Sequence, residues 1–481
     1  MTDQSATAIP GTAPAPPARL EPDAISVAQD TLIGMASTGP SVSIGLTLAA
    51  LAAAAAYAGG VVLILTAIPM LIIANAYRRL NLWNANCGAS FEWVGRAINP
   101  YLGFVTGWLM VAGTLIGTLS PIVVIGPSVL AVFGATTTST WPNVGIATGV
   151  ALIMLAIAVV GIRITARTQV AIGVVEYAIL VTFAIWGLVW VLGHHAGTYP
   201  ITRQWFSLHG IGGKGSLAAG FLLAVFMYTG WDGTIYVNEE VKHRRRNPGK
   251  AAMLAVGIVA VIFTLSQVGL QGVVSPAKLQ SNAPAGLVYV GQVLGGSAGG
   301  KALALALALS VIAATGTGIV LTARILYGMA SHRVLPALFA NVSPRFSTPV
   351  GATLIAGLVL IALAWMYLLT TSVQNAFSDV INVTGLLYAS FYILTALAAI
   401  VYYRRRVFTR LWDAVFLGIL PLGAIAFLVW VVVKSLQSAA QAQIWSLVGV
   451  VGVGLVLMLC ARFILRSPFF HIERESATTK R

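Results

Sequence analysis

Apolar runs of membrane-spanning length follow one another along almost the whole of this chain, and nothing else constrains its fold as much. About twelve are long enough to cross a bilayer. They lie near 31–57, 59–76, 101–133, 144–162, 169–192, 215–237, 250–274, 302–330, 350–370, 379–402, 412–433 and 444–465. The third and eighth are long enough to span at a tilt. With 58% hydrophobic and 9% charged residues among 481, the composition is not that of a soluble globular protein. The expected fold class is an all-α polytopic membrane protein, because a helix satisfies its own backbone in hydrocarbon.

The ends and the charge set the orientation. Residues 1–25 are rich in Pro, Ala and Thr and lack the pattern of a secretory signal. They read as a disordered cytoplasmic tail, and 467–481 as a second, short polar one. The net charge of +15 points to nucleic acid only until its distribution is read. With the N-terminus inside, all but five of the 28 Lys and Arg fall on inner segments; the exceptions are Arg203, Lys214, Lys278, Lys301 and Lys434. That is the positive-inside pattern, and it places both termini in the cytoplasm. Basic charge here sets topology in a lipid bilayer, and no nucleic-acid partner is expected. The run "KHRRRN" reads as an anchor facing anionic lipid.

The first run contains "GMASTGPSVSIG", Gly34 to Gly45, with Gly39 and Pro40 in mid-membrane. Glycine costs about 1 kcal/mol and proline about 3 in a helix interior, and freed backbone groups cost more in hydrocarbon. The sixth run repeats the feature, with Gly230 and Gly233 around Trp231 and Asp232. Interrupted spans one and six, five spans apart, fit an inverted 5+5 repeat whose broken helices meet at the midplane. Their free N–H groups suit an anion and their free C=O groups a cation; a free amino acid carries both. A helix kink without a ligand role is the plainer alternative.

Four stretches, in order, carry a family resemblance. They are "NANCGASFEWVGRAINPYLGFVTGW" entering span three, "GIRITARTQ" between spans four and five, "YTGWDGTIYVNEEVKHRRRNP" in and after span six, and "TARILYGMASHRVLPALFANVSPRFSTPVGA" closing span eight. Over roughly residues 28 to 466 the chain resembles the amino acid–polyamine–organocation (APC) superfamily of permeases. The resemblance implies a LeuT-like ten-helix transporter core over 28–402, with repeats of about 28–192 and 215–402, and two additional spans over 403–466. It also implies alternating access, with substrate held between spans one, three, six, eight and ten. Span one departs from the Gly-Ser-Gly form of many relatives. In "STGP" the proline removes one N–H donor and suits the first turn of a restarting helix, so the break is expected at Ala36 to Gly39. A substrate carboxylate would then meet the backbone of Thr38, Gly39, Ser41 and Val42 and the hydroxyls of Ser37 and Thr38. An amine would meet the carbonyls of Met35, Ala36, Tyr228 and Thr229.

Of the 13 acids, Glu176 and Asp232 fall clearly inside apolar spans, where an ionisable group is a functional hypothesis by default. Glu176 is the candidate for proton coupling, the alternative being a carboxylate bonded to backbone freed by the break in span one. Asp232 beside Gly230 would sense protons, gate the site or pair with a cationic group, or simply bond freed N–H groups. The resemblance matches Phe226 to an aromatic that closes over substrate. Thr315 and Thr317 offer hydroxyls to the site or to a sodium ion, although hydroxyls in membrane helices often bond their own backbone. Glu239, Glu240 and Arg324 form a possible inner gate, or solvated interface charge.

Cys87 and Cys460 are far apart, and the six histidines lie in loops, ends or tails. No disulfide framework, metal site or cofactor follows, and no nucleophile elbow or phosphate loop suggests an enzyme. The expected function is secondary active transport of amino acids across the cell membrane, with a proton preferred to sodium as the coupling ion. An amine or polyamine carrier and an amino acid exchanger are the rivals within transport. A non-transporting receptor or scaffold is the rival outside it.

Overall fold

Each apolar run becomes a helix because its backbone has no other partner in hydrocarbon. The computed structural model describes residues 19–135, 139–195, 197–208, 211, 214–282, 285–370 and 373–477. Residues 1–18 and 478–481 of the two expected tails lie outside the described residues. The helices are α1 (Val27–Thr38), α2 (Pro40–Ala55), α3 (Gly59–Trp83), α4 (Ser90–Ala97), α5 (Pro100–Val132), α6 (Thr140–Val160), α7 (Ile162–Leu192), α8 (Lys214–Met227) and α9 (Gly233–Tyr236). There follow α10 (Asn247–Gln271), α11 (Pro276–Ser281), α12 (Gly286–Ser331), α13 (Val350–Thr370), α14 (Val373–Val407), α15 (Leu411–Ala414), α16 (Leu420–Ser438) and α17 (Gln441–Leu459). Among the described residues the extended pairing is a lone bridge between Ile25 and Val241.

The protein is an all-α polytopic integral membrane protein. Ten helical stretches among the described residues are long and apolar enough to cross a membrane, against twelve runs expected. The physical reason is the breaks. The first stretch, Val27–Trp83, holds the first two expected runs, and the sixth run unwinds after α8, leaving a helix of 14 residues.

The core lies where α5 and α12 pack together, with α1, α2, α8 and α14 around them. Large apolar side chains left exposed, such as Ile68, Val261 and Ile419, face outward from the bundle, as lipid contact requires. Residues 19–25, the end of the expected N-terminal tail, pack against the chain that follows span six: the Ile25 N–H donates to the Glu240 carbonyl at 3.1 Å, and the Lys242 N–H to the Ile25 carbonyl at 3.0 Å.

The C-terminal stretch is equally well tied. Phe469 is buried and stacks on Phe91 of α4, ring centroids 4.2 Å apart. The Ser467 hydroxyl donates to the His332 carbonyl at 2.7 Å, Glu475 pairs with Arg96 at 2.7 Å, and the Ala477 N–H donates to the Tyr402 carbonyl at 3.0 Å. Beneath this strap Glu92 meets Arg96 at 2.8 Å and His332 at 3.2 Å. Burial opposes charge on Glu92, but the His332 and Arg96 contacts outweigh it and hold the carboxyl below its usual range.

Candidate functional site

The break in span one is narrower than expected. Helix α1 runs on through Thr38, Gly39 alone leaves the helical region (φ 53°, ψ 70°), and α2 restarts at Pro40. A left-handed residue ending a helix is a glycine position, and proline is pre-shaped for a first helical turn.

The restart has no side-chain cap of its own, yet its first free N–H groups are not left open. The Ser41 N–H donates to Glu176 Oε1 at 3.0 Å, and the Val42 N–H to Ser310 Oγ at 3.2 Å. Glu176 comes from α7 and Ser310 from α12, and both are fully buried. The positive end of a helix favours an anion, and here a carboxylate of the chain itself occupies that place. This corrects the expected donor set: Ser41 and Val42 are engaged, and the Gly39 N–H donates back to the Met35 and Ala36 carbonyls. The Thr38 hydroxyl also donates to the Met35 carbonyl, at 2.7 Å, which leaves that carbonyl little capacity for an amine.

The second break is longer. Between α8 and α9 the chain turns from Tyr228 to Asp232, with Gly230 at φ 102°. Gly230 is required here for a second reason: a Cβ would lie 2.7 Å from the Ser37 carbonyl oxygen. The two breaks therefore meet backbone to backbone. Asp232 is fully buried and accepts hydrogen bonds from Tyr236 and from Tyr392, the latter at 2.9 Å. Tyr228 turns away and donates to the Leu63 carbonyl at 3.2 Å.

A pocket of about 540 Å³, open solvent included, lies beside this junction. Of the predicted residues, Ser37, Thr38, Phe226 and Thr229 line it. Ala36, Gly39, Ser41, Tyr228, Gly230 and Asp232 are set back from its wall. Thr315 and Thr317 point away from it, each hydroxyl donating at 2.8 Å to its own helix, to Val311 and Ala313 respectively; Ala314 and Gly318 take the wall instead. Sequence reasoning missed Thr114, Gly117, Thr118 and Ser120 of α5 and Tyr388 of α14, all of which line the cavity. The α5 set had a signal: Thr114, Gly117, Thr118 and Pro121 recur at helical spacing and share one face. No lining residue is charged. Leu46 is shared with a second cavity of about 930 Å³, reaching Ala135 and Lys301 at the end of the bundle away from α4.

A family model for amino acid permeases matches residues 29–463. The chain belongs to the amino acid permease family. Among the permease's relatives is the cationic amino acid transporter 4, vacuolar, of Arabidopsis thaliana, 24% identical over 346 residues, which are 68% of this chain and 53% of that protein. The methylthioribose transporter of Bacillus subtilis (strain 168) is 27% identical over 221 residues, 44% of each chain. The human Asc-type amino acid transporter 1 is 27% identical over 145 residues, 29% of this chain and 27% of that protein. The matched region thus spans about half or less of the length of these relatives.

A buried ion pair lies at the arginine-rich end of the permease. Arg324 of α12 and Glu240 form a doubly bonded pair, Nη2 to Oε1 at 2.9 Å and Nε to Oε2 at 3.1 Å, with both side chains fully buried. Glu239 takes a different partner, accepting the Cys87 N–H at 3.0 Å. Asn238 ties the same segment to Asn81 at 2.8 Å and to the Asn86 carbonyl at 2.9 Å. A buried pair of this kind is weak as a source of stability but costly to break.

Proposed function

We propose that this permease carries a net-neutral amino acid across the cell membrane by alternating access, coupled to a proton held by Glu176. The observation that carries the reading is the uncharged, hydroxyl-rich cavity at the meeting point of two broken helices. The carbonyls of Tyr228 and Thr229 lie outside both α8 and α9 and would receive the amine. The Ser37 hydroxyl would receive the carboxylate, since the helix N-terminus is already taken by Glu176 and the Thr38 and Ser43 hydroxyls donate to the Met35 and Thr38 carbonyls. Thr114, Gly117, Thr118 and Tyr388 would surround the side chain, with Phe226 closing over it.

Glu176 Oε1 caps α2 while Oε2 makes no hydrogen bond, so Oε2 is the oxygen open to a proton. Protonation would weaken the cap on Ser41 and so connect proton uptake to movement of span one. The Glu240–Arg324 pair would be the inner gate, with Glu239 bracing the neighbouring loop. In the same reading residues 28–402 form a LeuT-like core of two inverted repeats, 403–466 add two spans, and both termini face the cytoplasm. The absence of charge in the cavity wall disfavours a polyamine or cationic substrate.

A second reading follows from one observation. A wall of hydroxyls also suits a neutral polyhydroxylated solute, such as the sugar named for the methylthioribose transporter. Uptake into proteoliposomes with imposed proton or sodium gradients tests both. Proton-driven flux of neutral amino acids is expected; flux of a neutral sugar alone moves the assignment to the second reading, and no flux of either solute refutes both.

A further inference from the structure

A groove of about 740 Å³ lies between α3, α10 and the start of α16. Its upper wall is polar, made by Asn75, Arg78 and Arg79; Met253, Phe416 and Leu420 belong to the apolar remainder. The Arg78 guanidinium is held in place by Asn75 Oδ1, at 2.9 and 3.2 Å. Arg79 Nε is buried and has no hydrogen-bond partner. Among the described residues neither arginine pairs with a carboxylate. Two adjacent cations above an apolar slot carry a desolvation cost that an anion would offset.

The surroundings specify what kind of anion. Ile68 of α3 and Leu254 of α10, each next to or one turn from a lining residue, are exposed, so this flank faces acyl chains rather than water. The polypeptide is also shaped to keep the slot open. Residues Val415–Ile419 form a π-helical stretch just before α16, a local widening that is often retained at functional sites, and Phe416 from it lines the groove. Gly249 lets the start of α10 rest directly against Arg78, where a Cβ would come within 2.5 Å of Arg78 Cγ. A phosphate carrying a hydrocarbon chain matches both halves of this site, whereas a free phosphate matches only the arginines.

We infer that the groove binds one anionic phospholipid, its phosphate on Arg78 and Arg79 and an acyl chain between α3 and α16. The lipid would join the transporter core to the first of the added spans.

Native mass spectrometry of the full chain, released from detergent with phosphatidylglycerol or phosphatidylcholine of matched acyl chains, tests the inference. Phosphatidylglycerol should be retained about tenfold better, because both lipids offer a phosphate to the arginines but the choline cation of phosphatidylcholine is repelled by the two guanidiniums. Arg78→Gln with Arg79→Gln should abolish the preference, while Arg167→Gln with Arg345→Gln, which removes the same charge from exposed sites, should keep it. Leu420→Trp fills the slot with both arginines intact and should also lose the lipid; it decides the matter if the double arginine variant does not fold. Equal retention of the two lipids, an unchanged preference in both the double arginine variant and Leu420→Trp, or displacement of phosphatidylglycerol by inorganic phosphate would each overturn the inference.

Discussion

The two broken spans solve the same problem in opposite ways. Span one breaks at a single residue, Gly39, and relies on distant helices: Glu176 and Ser310 take the first free N–H groups of α2. Span six unwinds over several residues and keeps its carboxylate within the break, where Asp232 is bound by Tyr236 and Tyr392. The first break is thus a joint between three spans, and its geometry depends on whether one carboxylate stays bonded. The second is a local turn braced by aromatic neighbours. A protonation change at Glu176 reaches the backbone of span one directly; one at Asp232 is absorbed by tyrosine hydroxyls.

The sharpest way to break this comparison is to remove each carboxylate. Glu176→Ala leaves the Ser41 N–H buried and unpaired, at a cost of about 1–3 kcal/mol, and uptake should fall to background. Asp232→Ala should cost less in thermal unfolding, because Tyr236 and Tyr392 can re-pair with each other or with water; a larger loss at Asp232 would reverse the assignment of joint and turn. Next in size are the glycines. Gly230→Ala combines φ 102° with a Cβ against the Ser37 carbonyl and should cost roughly 1–3 kcal/mol with most of the uptake. Gly39→Asn tolerates the left-handed region but brings a Cβ within 2.6 Å of Val42 Cγ1 and should lose some stability, whereas Gly39→Leu should lose more and abolish substrate binding, measured by ligand-induced thermal shift.

Smaller effects separate coupling from packing. Glu176→Gln retains an acceptor for Ser41 and should keep the fold while flattening the pH dependence of uptake. Asp232→Asn should leave that dependence intact, and a flattened profile there instead would place coupling in span six. Smallest of all, Thr118→Val should raise KM several-fold, while Thr315→Val, which touches only its own helix, should leave KM unchanged in the same uptake assay.

Much of this was legible in the sequence because the membrane makes backbone satisfaction compulsory. Gly39–Pro40 and Gly230 stood out as breaks, and Glu176 as an acid too deep to be incidental. The failures share one cause, which is side-chain direction. Thr315 and Thr317 are one residue away from the wall that Ala314 and Gly318 occupy, and a 100° turn per residue separates a cavity-facing position from one that faces away. Asp30 read as a span-end acid, yet it is fully buried with neither carboxylate oxygen bonded, because the segment before it folds back onto Val241. For Glu176 the sequence left two readings, a proton carrier or a carboxylate bonded to backbone freed in span one; the bond of the second reading is present, to the Ser41 N–H 135 positions away. Tyr388 carried no signal beyond being one aromatic among several in α14.

The strap at Phe469 has a consequence for how the protein is made. Its aromatic wedge is among the last of the described residues to leave the ribosome, yet it covers Phe91 and braces Arg96, which are made near the start. Throughout synthesis that face of α4 waits uncovered until Phe469 is made. A product cut short before Ser467 would therefore hold the preceding helices and still expose a bare aromatic surface to whatever inspects newly made membrane proteins.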